Sequence, residues 1–297
     1  MSFFSKKSTV VVHDGRFHSD DVFAAATMSI LLNGKIKIIR TRDESIISSA
    51  DFVADVGGVH DPRLNRFDHH QKGGAGFREN GIPYAAFGLV WKEYGEKVCK
   101  SKDVALRIEQ KLVSSIDASD NAVETYTPAS ETLSPYTIQA VFGSFMPTWK
   151  EGDNTDEQFL SAVKIAESIL RREIVQAQDY LEAKQKIHEV YLATADKRVI
   201  TFERAYPWEE ILTAYPEPLF VIVSRSGNRW KAEGTLVGKG FDRKAYFPVS
   251  WAGLRDEALE KASGVIGAKF CHNGRFIVVG ATREVVEKLV KIALESQ

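Results

Sequence analysis

VVVHDGRFHSDDVFAAATMSILLNG, residues 10–34, is the stretch from which the fold can be read outward. Val10-Val11-Val12 has the character of a short buried strand. Asp20 to Leu32 carries Val22, Phe23, Ala26 and Ile30 at helical spacing, and Asn33-Gly34 ends the pattern. Strand followed by helix is one βα unit. Lys35 to Thr41 then alternates Ile36 and Ile38 with charged neighbours, Phe52 to Val56 is a second apolar strand, and Arg66-Phe67 leads a short strand into Asp68. Helical patterns follow at Pro83 to Tyr94 and at Lys102 to Ile116. This alternation predicts an α/β domain whose mainly parallel sheet carries helices on both faces. In such sheets functional groups gather just past the carboxyl ends of the strands. His13, Asp55 and Asp68-His69-His70 each follow a strand in that way.

The second half has a different grammar. Thr155 to Tyr191 is a long amphipathic segment without Gly or Pro, with Phe159, Val163, Ala166, Leu170, Ile174, Ala177, Leu181, Ile187 and Tyr191 on one stripe. It is expected to close the first domain, which gives domains at 1–195 and 196–297. Strands are predicted at Arg198 to Phe202, Leu219 to Ser224, Trp230 to Leu236, Gly267 to Cys271 and Phe276 to Gly280. Turns are expected at Ser226-Gly227-Asn228 and Asn273-Gly274, with a helix over Thr282 to Glu295. Hairpin-connected strands with a terminal helix predict a smaller α+β domain.

Composition sets outer limits. At 297 residues and 44% hydrophobic, the chain is long enough for two packed cores. Its net charge of −1 does not announce a nucleic-acid binder, although a local basic surface on one domain remains compatible with it. The two cysteines, Cys99 and Cys271, lie far apart with no CxxC spacing, which predicts free core thiols in a reducing compartment. No apolar run approaches the length of a membrane span, and MSFFSKKST lacks the apolar region of a secretory signal, so a cytoplasmic protein without membrane contact is expected. No obligate protein partner is evident.

Five of the seven histidines fall in the first seventy residues, beside Asp20, Asp21, Asp55 and Asp68. Imidazole with carboxylate and no thiolate is the donor set of Mn²⁺, Mg²⁺, Zn²⁺ or Co²⁺ in hydrolytic chemistry, not of a structural zinc. Two such ions sharing a water and a bridging carboxylate stabilise both the attacking and the leaving oxygen of a displacement. Asp68 or Asp21 is expected beside the ligands, holding an imidazole in one tautomer. His60, next to Asp61-Pro62, is expected at the surface, and His188 on the long helix at the surface or packed.

HDGRFHSDD (13–21), ADVGGVHDP (54–62) and RFDHHQKG (66–73) resemble, in order, the motifs of the melanocyte-proliferating-gene family of the DHH phosphoesterase superfamily. WAGLRDEAL (251–259) and FCHNGRFI (270–277) are similar to that family's C-terminal domain, so the resemblance covers most of the chain. It implies a DHH-type domain with a binuclear divalent-metal site, and a smaller domain supplying substrate contacts across a cleft. The metal ligands it implies are His13, His18, Asp20, Asp55 and His69, with a fourth motif at Asp117 or Asp120, of which Asp117 is favoured. Asp55 is the bridging carboxylate, Asp68 the group that orients a ligand, and His70 a phosphate contact. These last three are the catalytic candidates. His18 stands where the superfamily has Asp, which removes a negative charge and favours an imidazole-tolerant ion, Mn²⁺ first.

In the second half Arg243, Lys244, Arg255 and His272 are the candidates for substrate phosphate. Trp230, Trp251 and Phe276 are stacking candidates, at least two of which are expected to be core. Gly73, Gly74 and Gly76 offer a hinge or a plain loop. The activity implied by the resemblance is a 3′→5′ exonuclease preferring single-stranded RNA. The alternatives are hydrolysis of short oligonucleotides, cyclic dinucleotides or 3′-phosphoadenosine phosphate, which the near-neutral charge favours, and a non-catalytic metal-stabilised binding module. The HExxH helix of metalloproteases is absent from the sequence.

Overall fold

The computed structural model describes residues 7–127, 130, 132–225, 229–238 and 240–296. The chain is mixed α/β and forms two compact units, Met1–Gln178 and Asp179–Gln297, each with one five-stranded sheet.

The first unit runs β1 (Ser8–Val12), α1 (Ser19–Leu31), β2 (Ile36–Arg40), α2 (Glu44–Ser49), β3 (Phe52–Ala54), β4 (His60–Asp61), β5 (Arg66–Phe67), α3 (Ala86–Cys99), α4 (Lys102–Ile108), a π-helical turn (Glu109–Val113), α5 (Ser114–Asp120) and α6 (Ile138–Gly143). It continues into α7 (Thr155–Ala193). The sheet order is β2-β1-β3-β5-β4. β1, β2, β3 and β5 are parallel, and β4 is antiparallel at the edge. Val10, Val11 and Val12 are fully buried, as a central parallel strand requires. Ile46 and Ile47 of α2 pack with Val11, Ile39, Val53 and Val56. α1 is buried all along Ser19 to Ser29 and packs on α3, where Phe23 stacks on Phe87 at 5.1 Å.

Three local details depart from the periodicity. α3 begins at Ala86, not Pro83, because the Tyr84 amide donates to the Gly76 carbonyl and Pro83 bridges to Phe77, holding that segment extended. The expected helix over 102–116 is broken by the π turn and carries on to Asp120. β4, two residues long, is too short to show a period, and it brings the half-buried His60 against Phe67.

The divide between the units falls inside α7, whereas the sequence reading placed it at 195/196. Phe159, Ala162, Ala166 and Leu170 are buried on the first unit's part of the helix. Ala183, Ile187 and Tyr191 belong to the core of the second.

The second unit adds β6 (Val199–Phe202), α8 (Glu209–Thr213), β7 (Phe220–Arg225), β8 (Arg229–Gly234), α9 (Asp256–Ser263), β9 (Ala268–Cys271), β10 (Ile277–Gly280) and α10 (Arg283–Glu295). The order is β6-β7-β8-β10-β9, antiparallel except for β6 on β7. Strand alternation on β7 serves two cores. Phe220 and Ile222 face Leu259, Val286, Leu289 and Val290 of α9 and α10, while Val221 and Val223 face Ile187, Tyr191, Ile211 and Leu212. The Ser226-Gly227-Asn228 turn lies outside the described residues. Cys99 and Cys271 are buried free thiols, pushed up by burial to about 12 and about 11. Among the described residues no helix is long and apolar enough to cross a membrane.

Candidate metal centre

Three parallel strands deliver the core of the site. His13 directly follows β1, Asp55 follows β3, and Asp68, His69 and His70 follow β5. Asp20 and Asp21 lie in the first turn of α1, where the helix dipole favours negative charge. Asp120 is the last residue of α5, where the dipole disfavours it and a cation would offset the cost.

Asp55 takes the left-handed conformation, with φ of 59°, a geometry that Asp tolerates better than most side chains. Its amide still continues the ladder to the Phe67 carbonyl at 3.0 Å. Its carboxylate stands between two imidazoles. Oδ2 is 3.3 Å from His13 Nε2 and Oδ1 is 3.1 Å from His69 Nε2. His69 Nε2 also lies 3.2 Å from Asp120 Oδ2 and 3.9 Å from Asp20 Oδ2, and His13 Nε2 is 3.2 Å from Asp21 Oδ2. The ligand atoms of His13, His18 and Asp55, of Asp55, His69 and His70, and of His18, Asp20 and Asp120 form three groups, each within 4.8 Å.

The neighbours around these groups fix orientation. His13 Nδ1 lies 2.8 Å from the Asp14 carbonyl, an acceptor only, so the proton sits on Nδ1 and Nε2 faces the carboxylates. The His18 amide donates to Asp21 Oδ1 at 3.0 Å. Asp68 holds His70, not His69: its Oδ1 accepts from the His70 amide and from Nδ1 at 3.1 and 2.8 Å, and its Oδ2 accepts from the Gly58 amide. Gly58 reaches that carboxylate from a φ of 68° that glycine adopts without strain.

Protonation follows from the crowding of charge. Burial opposes the positive charge of His13, but Asp21 and Asp55 outweigh it and raise the imidazole to about 10. His69 is raised to about 10 in the same way, burial being overcome by Asp120 and Asp55. Asp55 is held down at about 2 by His13 and His69 in spite of its burial. Burial, then the charges of Asp55, Asp120 and Asp21, push Asp20 well above the usual carboxylate range. Burial raises Asp21, with His13 opposing.

The donor set fits divalent metal. Asp20 Oδ1 is buried with no partner, while Asp21 Oδ2 faces His13 Nε2 at 3.2 Å and Asp55 Oδ1 faces His69 Nε2 at 3.1 Å as ion pairs. Three buried carboxylates, Asp20, Asp21 and Asp55, thus converge on two imidazoles, and a divalent cation held among them would satisfy the oxygen left without a partner.

Of the residues singled out in the sequence, His13, His18, Asp20, Asp21, Asp55, His69, His70 and Asp120 are brought together here. Asp117 is not. Its oxygens are taken by Arg78 Nη2 at 2.7 Å and the Gly88 amide at 3.0 Å, so the carboxylate at the centre from this helix is Asp120. Pattern reading passed over Arg40, whose side chain is 3% exposed. It donates to the Gly15 carbonyl at 2.6 Å, pairs with Asp156, and lies over Phe17 and Phe159, fixing the loop that carries His13 and His18. Its only signal was its place at the end of β2, a strand that also carries Lys37.

In the second unit, Arg255 lies over Phe270 at 4.6 Å, Phe270 is edge-on to His272 at 6.2 Å, His272 is 4.3 Å from Phe276, and Arg243 lies over Phe276 at 5.0 Å. These five residues make one cationic and aromatic strip. Lys244 stays out of it, donating to the Tyr215 carbonyl, and burial lowers its ammonium. Trp251 is core and Trp230 packs half-buried against that core, which leaves Phe276 as the stacking candidate.

A worm protein from Caenorhabditis elegans, MYG1 protein C27H6.8, is 30% identical to this chain, covering 97% of it and 95% of its own length. The human MYG1 exonuclease is 28% identical over 95% of this chain and 84% of its own. A crystal structure of RecJ in complex with Mn²⁺ from Thermus thermophilus aligns with 97% of this chain at 13% identity and a TM-score of 0.28, and the chain spans 52% of that one. The model of the MYG1 exonuclease family, described as uncharacterised protein family UPF0160, matches residues 9–294, and the chain therefore belongs to that family.

Proposed function

We propose that the protein is a divalent-metal-dependent phosphodiesterase that shortens single-stranded RNA from its 3′ end. The observation that carries this reading is the convergence of buried carboxylate and imidazole groups, close enough to share a metal ion, where three parallel strands end. The name exonuclease borne by the human relative supports it. In this reading His13, His18, Asp20, Asp55, His69 and Asp120 hold two ions, Mn²⁺ first and Mg²⁺, Zn²⁺ or Co²⁺ as alternatives. Asp55 and His18 are each shared by two of the ligand groups. When bound, such ions supply an activated water and positive charge against the phosphate oxygens.

The chain's own residues do the rest. Asp55 sets the spacing of the two halves of the site. Asp21 and the Asp14 carbonyl hold His13 in one orientation. Asp68 anchors Nδ1 of His70, whose side chain is 61% exposed, so that Nε2 is presented to a phosphate or a leaving oxygen. The bond to Asp68 raises the His70 imidazole, the direction that suits a proton donor to a leaving oxygen. The strip of Arg243, Arg255, His272 and Phe276 takes bases and phosphates on the second unit.

A second reading, hydrolysis of short oligonucleotides or other small phosphate compounds, is favoured by the net charge of −1, since long polymers call for a basic surface. End-labelled single-stranded RNA and a dinucleotide, each incubated with Mn²⁺ and either the wild type or Asp55→Ala, separate the readings. A 3′-shortening ladder that vanishes in Asp55→Ala supports the exonuclease. Cleavage of the dinucleotide alone selects the second reading, and no cleavage with any divalent ion leaves a binding module.

A further inference from the structure

Asp117 is fully buried and yet lies outside the centre. Arg78 Nη2 donates to one of its oxygens and the Gly88 amide to the other. Arg78 is itself 8% exposed and makes three further attachments. Its Nε donates to Glu109, the first residue of the π turn, its Nη1 donates to the Pro83 carbonyl at 3.0 Å, and its guanidinium lies 4.2 Å from the Tyr84 ring. One guanidinium thus ties the extended segment leading into α3, the π turn and α5 together. Gly88 admits the Asp117 carboxylate because it has no Cβ: one placed there would collide with Asp117 Oδ2 and Arg78 Nη2.

Asp117 and Asp120 are three residues apart on α5 and share a helix face. Seating Asp117 therefore sets where Asp120 points. A π turn immediately before α5 shifts the faces of the helix that follows, so this attachment decides the register. The same α3 N-terminus donates the Ala86 amide to Asp20 Oδ2 at 3.3 Å, which links the seat to a second carboxylate of the centre.

We propose that Arg78, Asp117 and Gly88 form a positioning lock that holds α5 so that Asp120 reaches the metal centre, and that Asp117 itself binds no ion. The lock rests on the metal-centre reading given above. It is tested by titrating Mn²⁺ into wild type, Asp120→Asn, Asp117→Asn and the double variant, following free Mn²⁺ by its electron paramagnetic resonance signal. Asp120→Asn and Asp117→Asn each lower affinity by about 10–100-fold, the loss typical of disturbed metal surroundings, and the double variant binds no more weakly than Asp120→Asn alone.

Additive losses would make Asp117 a ligand in its own right and overturn the lock, as would wild-type affinity in folded Asp117→Asn. Gly88→Ala and Arg78→Lys guard against misfolding of Asp117→Asn, and each lowers Mn²⁺ affinity in the wild-type background but not in Asp120→Asn. If neither folds, the three residues serve the fold and not Asp120, and the proposal fails. A wild type that binds no Mn²⁺ overturns the metal reading itself, a different result from any of these.

Discussion

His69 Nε2 lies 3.1 Å from Asp55 Oδ1, a buried imidazole–carboxylate pair at the centre of the site. The two come from the ends of adjacent parallel strands, β5 and β3, so the sheet's own register brings them together. In metal-free protein the imidazolium proton joins the two, and a divalent ion bound there would take that proton's place.

Asp55→Asn is expected to lower Mn²⁺-dependent cleavage by more than about 100-fold, since it removes the carboxylate shared by two ligand groups. Asp21→Asn, which loosens the orientation of His13, costs about 10–100-fold. The measurement is cleavage rate and Mn²⁺ affinity on the same preparations; equal losses for the two variants would contradict the roles assigned.

Metal-free protein should lose stability as pH rises. His13 and His69, raised from 6.5 to about 10, contribute stability that is full below pH 6.5 and lost as pH climbs through 10. Asp20 and Asp21, also raised, act in the same direction. Asp55, lowered from 3.8 to about 2, contributes stability present above pH 3.8 and lost as pH falls through 2. Urea midpoints in chelator are therefore higher near pH 6 than near pH 9. Mn²⁺ at 100 times its Kd adds about 2.7 kcal/mol. A midpoint in chelator that rises toward pH 9 would refute the charge assignment.

Arg40→Met should destabilise the first unit by about 1–3 kcal/mol, through loss of a charge-assisted bond to Gly15 and of contacts with two aromatic rings. Because the same loop carries His13 and His18, Mn²⁺ affinity falls as well. Chemical denaturation with a parallel metal titration checks both, and a stability loss with unchanged metal affinity would separate Arg40 from the site.

Phe276→Ala and Arg255→Ala should each weaken RNA binding by about 5- to 150-fold without changing Mn²⁺ affinity, given about 1–3 kcal/mol for a stacked base. Fluorescence anisotropy with labelled RNA in the absence of metal reads this directly. Lys244→Ala, whose ammonium is engaged with the Tyr215 carbonyl, leaves RNA affinity within about twofold by the same scale.

Much of the scaffold was legible in the chain because it depends on period and punctuation. The unbroken apolar runs Val10 to Val12 and Leu219 to Val223 and the apolar residues of α1 each declare a buried element, and His13, Asp55 and His69 stand where strands of that kind end. Boundaries were less legible where a non-local bond overrides the pattern, as when the Gly76 carbonyl holds Tyr84 out of α3.

Asp117 and Asp120 show where pattern reading stops. Both follow the same apolar run, both are carboxylates, and nothing in their spacing separates a seat from a ligand. The order of strands and helices and the donor chemistry of the first seventy residues are properties of local sequence, because periodicity and residue type act over a few positions. Which carboxylate meets His69, which imidazole Asp68 holds, and that Arg40 and Arg78 clamp the loops were decided only when distant segments packed. The Asp120–His69, Arg40–Gly15 and Arg78–Asp117 contacts join elements dozens of residues apart, and the Asp68–His70 bond depends on how the loop after β5 turns, so no local preference encodes them.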